Sequence, residues 1–480
     1  MTLARSDATG QGSLDPAVLR FTTSLPVDQA LFAADVAGSL AHLRMLEETQ
    51  LIPAADAAKI RHGLLALFDE ARTGAVNWPK EEDIHMAIEV ELGRRIGESA
   101  KRLHTARSRN DQIALDARLH LREQSIEILD RVAGLLETLI GKAEGAEGSF
   151  LMPAYTHRQR AQPVTVAFLL SAYGQMLARD AAQFAQVLNS LDESPLGSGA
   201  VSGTSLPIRR ERVAELLGFS RITENAADAV GDRDFVLDFV FACAKCMVHL
   251  SRISQDVVDF ASQEFGFVEL DDRISFGSSM MPHKRNPDLF ELTRGKTGRA
   301  IAALIGMMTT LKGLPVGYTR DLQEDKSSYL EAAALTRECL EALTAGFSGI
   351  RFREERLAAA LSSGATQATD LAEALVRRGV AFREAYRAVG KLVLAARASG
   401  KALDEIGPSE LAAAEGLVSA ADLSALSARR AQEAKEVPGG TGPQATADQL
   451  DALKEAVAGA RARVQATPRL ASLIAAMARP

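Results

Sequence analysis

Cysteine is scarce in this chain: Cys243, Cys246 and Cys339 are the only three in 480 residues. So few thiols, odd in number, exclude a disulfide scaffold and point to a reducing compartment, with the cytoplasm as the expected location. Cys243 and Cys246 have the spacing of a metal or redox pair. No second pair accompanies them and they lie in an apolar helical pattern, so packing is the simpler expectation. Aromatic residues are only 5%, with one Trp, and Val, Ile, Tyr and Thr do not gather into alternating runs, which leaves little from which to build sheet. No uncharged stretch reaches the roughly 18 residues of a membrane span. The segment after Arg5 lacks the apolar run of a secretory signal. An excess of one charge is missing too. A net charge of -7 without blocks of like charge argues against nucleic acid or an anionic membrane as partner.

What is present is helical periodicity. Over 165–191 the apolar residues Val166, Leu169, Leu170, Tyr173, Leu177, Phe184, Leu188 and Leu191 keep the three-and-four spacing of one helix face. Over 234–263, Phe239, Ala242, Cys246, His249, Ile253, Val257 and Phe260 run close to a heptad seam. Similar patterns occupy 111–142, 287–312 and 321–347. The expected class is all-α: a long central helical bundle flanked by two smaller helical domains. Gly and Pro breaks divide the chain into an N-terminal helical domain (1–108), a central long-helix bundle (109–358) and a C-terminal helical domain (359–480). Helices this long carry more apolar surface than one chain covers, so an oligomer with a shared core is expected.

Four polar segments stand at the ends of these helices. The first, Gly277-Ser278-Ser279-Met280-Met281-Pro282-His283-Lys284-Arg285-Asn286-Pro287, reads as a loop, with Asn286 capping a helix and Pro287 at its first position. A helix start beside Lys284 favours a bound carboxylate. The second, Thr156-His157-Arg158-Gln159-Arg160, sets an imidazole among cations and hydrogen-bonding groups. The third is Arg107-Ser108-Arg109-Asn110-Asp111-Gln112, and the fourth runs from Tyr318 to Lys326. Each alone is an ordinary capped helix start or flexible loop. Four of them together suit one anion-binding cleft for a small-molecule substrate.

On these residues the chain resembles the argininosuccinate lyase branch of the fumarase/aspartase superfamily. Gly277, Ser278, Ser279, Met281, Pro282, Lys284, Asn286 and Pro287 fit the superfamily signature, and the other three segments select the branch. The likeness also takes in Glu82-Asp83-Ile84-His85, Asp232-Arg233-Asp234-Phe235 and Gly439-Gly440-Thr441. It implies a homotetramer around a bundle of long helices, active sites shared between subunits, no metal and no organic cofactor. It implies a β-elimination in which Ser278 is the base, Lys284 and Asn286 stabilise the aci-carboxylate, and His157, oriented by Glu291, is the acid. Ser24, Asn110, Thr156, Tyr318, Gln323 and Lys326 would hold substrate, and Arg109 is a further carboxylate-binding candidate. The 197–205 turn has structural and binding readings of equal standing.

The chain departs from the family pattern in places. The usual N-terminal Trp-Gly-Gly-Arg-Phe is missing, Ala106 stands where Gly is common, Arg158 where Leu is common, and Phe276 where Thr is common. Arg158 and Phe276 flank the implied acid and base. They bear on which N-succinyl substrate is taken, another N-substituted aspartate being the alternative.

Overall fold

The computed structural model describes residues 15–362, 365–403, 405–414 and 416–479. Residues 1–14, expected above to carry no secretory signal, lie outside the described residues. In chain order, the elements that position the site begin with α1 (Phe32–Glu48), α2 (Ile84–Ile96) and α3 (Arg109–Glu144). A hairpin of β1 (Leu151–Thr156) and β2 (Gln159–Thr165) leads into α4 (Val166–Ser190), and α5 (Asp234–Ala261) follows. A short pair, β3 (Phe276–Gly277) and β4 (Arg285–Asn286), precedes α6 (Asp288–Leu311) and α7 (Asp325–Gly349). Beyond lie α8 (Ala368–Arg377), α9 (Phe382–Ala398), α10 (Pro443–Ala466) and α11 (Leu470–Met477).

The long periodic stretches are long helices. At 36 residues, α3 extends about 54 Å at 1.5 Å per residue. Helices α3 to α7 and α10 pack on one another as a bundle. Their facing sides are buried Leu, Ile, Val and Ala, with edge-to-face aromatic pairs such as Phe290 and Phe347 (6.3 Å, 86°) bridging helices. All three cysteines are buried in this core. Burial pushes the Cys243 thiol up to about 12, which makes it an unreactive packing group. Gly174 allows a close approach of α4 to α10: a Cβ there would lie 2.4 Å from the Leu453 side chain. A separate buried cluster, including Leu371, Leu375, Leu392 and Leu423, forms beyond the bundle, and α10 and α11 return to the main core.

The all-α class stands, and among the local differences two bear on the site. The hairpin was not expected. Its facing prolines, Pro153 and Pro163, and its polar tip hide the alternation by which strands are recognised. Its turn residues, His157 (φ 53) and Arg158 (φ 59), both take the left-handed conformation, where Asn-Gly is the usual signal. The start of α6 also lies one residue later than expected. Asn286 pairs with Phe276 in the β3–β4 ladder, so Pro287 takes the cap position and makes no side-chain cap bond.

Among the described residues, no helix is long and apolar enough to cross a membrane. Leu292, Ile301, Ile305 and Met308 lie exposed along α6, and Phe241 and Val248 along α5.

Candidate active site

A cavity of roughly 650 Å³ opens where the start of α3, the start of α2 and the 318–326 segment converge. Ser108 caps α3: its Oγ accepts from the Asn110 amide (3.3 Å), and its own amide donates to Asp111 Oδ1 (2.9 Å). This fixes Arg109 and Asn110 at the cavity wall. Asn110 Nδ2 donates to the Ala200 carbonyl (3.0 Å). The amides of Gly197 and Gly199 donate to Asp111 Oδ2 at 3.0 and 2.8 Å. These two amides therefore serve the fold, which decides their part of the 197–205 turn in favour of structure.

Opposite, Arg320 Nη2 and Gln323 Nε2 both donate to the Thr22 carbonyl (2.9 and 3.3 Å), and Arg320 also pairs with Glu82. The same Glu82 contributes its carbonyl to the Ser24 amide (2.8 Å). Ser24 Oγ donates to Asp28, one helical turn on. Lys326, with its side chain 4% exposed, stands 3.4 Å from Asp325 and 3.9 Å from Asp28. Burial raises the Asp28 carboxyl even against the Lys326 charge. Arg233 Nε donates to Asp325 Oδ2 at 2.6 Å with both side chains buried, which anchors the residue preceding Lys326.

Six of the sequence-predicted residues line this cavity: Ser24, Arg109, Asn110, Tyr318, Gln323 and Lys326. The other six do not. Thr156 and His157 sit at the exposed hairpin tip; Ser278, Lys284, Asn286 and Glu291 belong to the 276–287 loop and the first turn of α6. Ser278 Oγ accepts from the amides of Met280 (3.2 Å) and Met281 (3.1 Å), a polarity that favours negative charge on that oxygen. Within this chain Glu291 faces Arg294 at 3.5 Å. The sequence reading gave no role to Asp28, Glu82, Glu89, His104 or Arg320, which also line the cavity. Cations and carboxylates alternate around the wall, so the cavity suits a ligand that is itself zwitterionic.

Behind the wall, His85 Nδ1 lies 2.7 Å from Asp35 and 3.2 Å from Asp116, all fully buried. Burial pulls the imidazole down, but the bonds to Asp116 and Asp35 outweigh it and lift it to about 10. Burial pushes Asp35 up, yet its hydrogen bond and charge contact with His85 hold it well below the usual carboxylate range. Asp116 is pushed up by burial and by the Asp35 charge. The three donor atoms lie close enough for a cation. Their spacing, 2.7 and 3.2 Å, is that of hydrogen bonds around a shared proton.

Residues 9–302 match a family model described as "Lyase". Among solved structures, an EDDS lyase in complex with formate is 26% identical with a TM-score of 0.82, covering 99% of this chain and 97% of that one. The class II fumarase of Schistosoma mansoni, 16% identical with a TM-score of 0.70 over 85% of this chain and 91% of its own, shares the fold. The family match and the shared bundle thus make the chain a carbon–nitrogen lyase of the fumarase/aspartase superfamily. Residues 365–433 match a second model, "Argininosuccinate lyase C-terminal". Argininosuccinate lyases of Moorella thermoacetica and Carboxydothermus hydrogenoformans are each 44% identical to this chain. They cover 93% and 91% of it and 97% and 96% of their own lengths. The chain belongs to the argininosuccinate lyase family.

Proposed function

We propose that this enzyme cleaves argininosuccinate to arginine and fumarate by reversible β-elimination, the closing step of arginine biosynthesis. The observation that carries the reading is the 44% identity to curated argininosuccinate lyases over nearly the whole chain, together with a cavity lined by both cations and carboxylates. Argininosuccinate carries three carboxylates, an ammonium and a guanidinium, and so needs both kinds of wall.

In this reading Ser278, as alkoxide, takes the proton from the succinyl carbon beside a carboxylate. The electron pair moves into that carboxylate, where Lys284 and Asn286 stabilise the resulting dianion. The carbon–nitrogen bond then breaks with its electrons passing to the guanidino nitrogen, which takes a proton from His157, oriented by Glu291. Two amides on Ser278 Oγ support its role, since a serine hydroxyl is a poor base without such help. Arg109, Asn110, Tyr318, Gln323, Lys326 and Ser24 bind the substrate, as does Thr156 from the hairpin. No metal or organic cofactor is required by these steps.

The cavity is lined without His157 or Ser278, and α6 carries an exposed apolar stripe. Both features support assembly of several copies, in our reading a homotetramer in the cytoplasm, in which other copies bring the hairpin and the 276–287 loop to this cavity. Likeness to the EDDS lyase favours one alternative, another N-substituted aspartate as substrate. Fumarate release followed by ultraviolet absorbance separates the two. The proposal predicts turnover of argininosuccinate well above that of adenylosuccinate, aspartate or other N-substituted aspartates, and no turnover of argininosuccinate rejects it.

A further inference from the structure

Arg109 is held from behind as well as from the sides. Its Nη2 donates to Glu89 Oε1 (3.3 Å) and its Nε lies 3.6 Å from Asp83 Oδ2. Its Nη1 donates to Gln112 Oε1 at 2.7 Å. Gln112, one turn along α3, is 2% exposed, and its other end turns inward: Nε2 donates to Asp35 Oδ2 at 2.5 Å. That same carboxylate oxygen lies 2.7 Å from the buried Nδ1 of His85. Asp35 Oδ1 accepts from Ser39 Oγ (3.2 Å), which accepts from Arg107 Nη1 (2.9 Å). Helices α1, α2 and α3 contribute the fully buried Asp35, His85 and Asp116, the last 3.2 Å from His85 Nδ1.

Stability alone does not explain it. Removing charges from water costs several kcal/mol per ion, and well-packed apolar residues of similar volume hold helices together as well or better. Apolar packing cannot fix the plane of a guanidinium, whereas an acceptor held rigidly at its edge can. A primary amide has one acceptor and one donor end. Gln112 uses the acceptor on Arg109 and the donor on the Asp35–His85 pair, so the amide cannot rotate without losing both.

We propose that Gln112, backed by Asp35 and His85, is a positioning residue that orients the Arg109 guanidinium toward a carboxylate of the substrate. This rests on the reading of Arg109 as substrate-binding. Gln112→Met keeps length and volume and removes both amide contacts. It is expected to leave the assembled enzyme folded, raise KM for argininosuccinate about tenfold, as fits the loss of one charge-assisted hydrogen bond, and change kcat far less. Arg109→Ala is expected to raise KM at least as much, and Gln112→Met added to it to change KM no further. If Gln112→Met does not assemble, Gln112→Glu replaces it. That variant keeps the acceptor for Arg109, sets a carboxylate against Asp35, and is expected to raise KM at neutral pH. An unchanged KM in Arg109→Ala overturns the reading of Arg109. A raised KM in Arg109→Ala with an unchanged KM in the Gln112 variant overturns the positioning role. So does a Gln112 variant that loses only thermal stability.

Discussion

Arg233 and Asp325 form a fully buried ion pair, with Arg233 Nε 2.6 Å from Asp325 Oδ2. The pair joins the residue preceding α5 to the first residue of α7, beside Lys326. Removing Arg233 leaves the buried Asp325 carboxylate with only the longer 3.4 Å contact to Lys326, at a cost of up to about 3–5 kcal/mol. Arg233→Met is therefore predicted to lower the thermal midpoint sharply. Arg233→Met with Asp325→Leu is predicted to recover much of that loss while leaving the enzyme impaired, because Lys326 loses its neighbour. Thermal denaturation and steady-state kinetics of the three proteins check both.

Gly231 governs the same corner from the backbone side. A Cβ at that position would lie 2.6 Å from the Gly317 carbonyl oxygen, too close for any real contact. Gly231→Ala must push the 317–318 backbone and so displace Tyr318 from the cavity wall. The expected result is a KM for argininosuccinate raised several-fold with a modest loss of stability, measured by kinetics alongside thermal melting.

Ala106 is a non-glycine residue with φ 59, two residues before the cap of α3. Left-handed backbone costs an L-residue with a side chain roughly 1–2 kcal/mol, against a smaller entropic penalty for glycine in the unfolded chain. Ala106→Gly is predicted to stabilise the protein by about 0.5–1 kcal/mol with activity unchanged. Chemical denaturation measures this directly.

Two buried histidines contribute to the loss of stability in acid. Burial is the main force pulling His42 down to about 3 and His120 down to about 4. His42 Nε2 donates to the Thr105 carbonyl (2.8 Å) as the neutral ring. Both groups titrate near 6.5 when unfolded, so the unfolded chain gains protons first as pH falls. Stability is then lost below about pH 6.5, by roughly 1.5 kcal/mol per histidine down to pH 5. His120→Gln is predicted to flatten the fall of the thermal midpoint over that range. An equally steep fall in the variant contradicts the assignment.

The long helices were legible because burial along one face imposes a three-and-four spacing that survives in Leu, Val and Phe positions such as Leu177, Phe184 and Val257. The β1–β2 hairpin was hidden because paired prolines and a left-handed His-Arg turn give no strand or turn signature. Half of the predicted site residues gather in one cavity, since the segments after Ser108 and around Tyr318 are fixed by caps and short contacts within this chain. Asp28, Glu89 and Asp35 were missed for a different reason. A carboxylate inside a helical pattern looks like a solvated face until its buried partners, Lys326, Arg109 and His85, are known.

The central claim is that the cavity holding Asn110 is completed by the His157 hairpin of another copy. Asn110→Ala and His157→Ala are each predicted to be inactive toward argininosuccinate. The direct measurement is fumarate release after the two purified variants are mixed, dissociated and reassembled. The account predicts that activity reappears in the mixture and in neither variant treated alone; a mixture that stays inactive after demonstrated subunit exchange contradicts it.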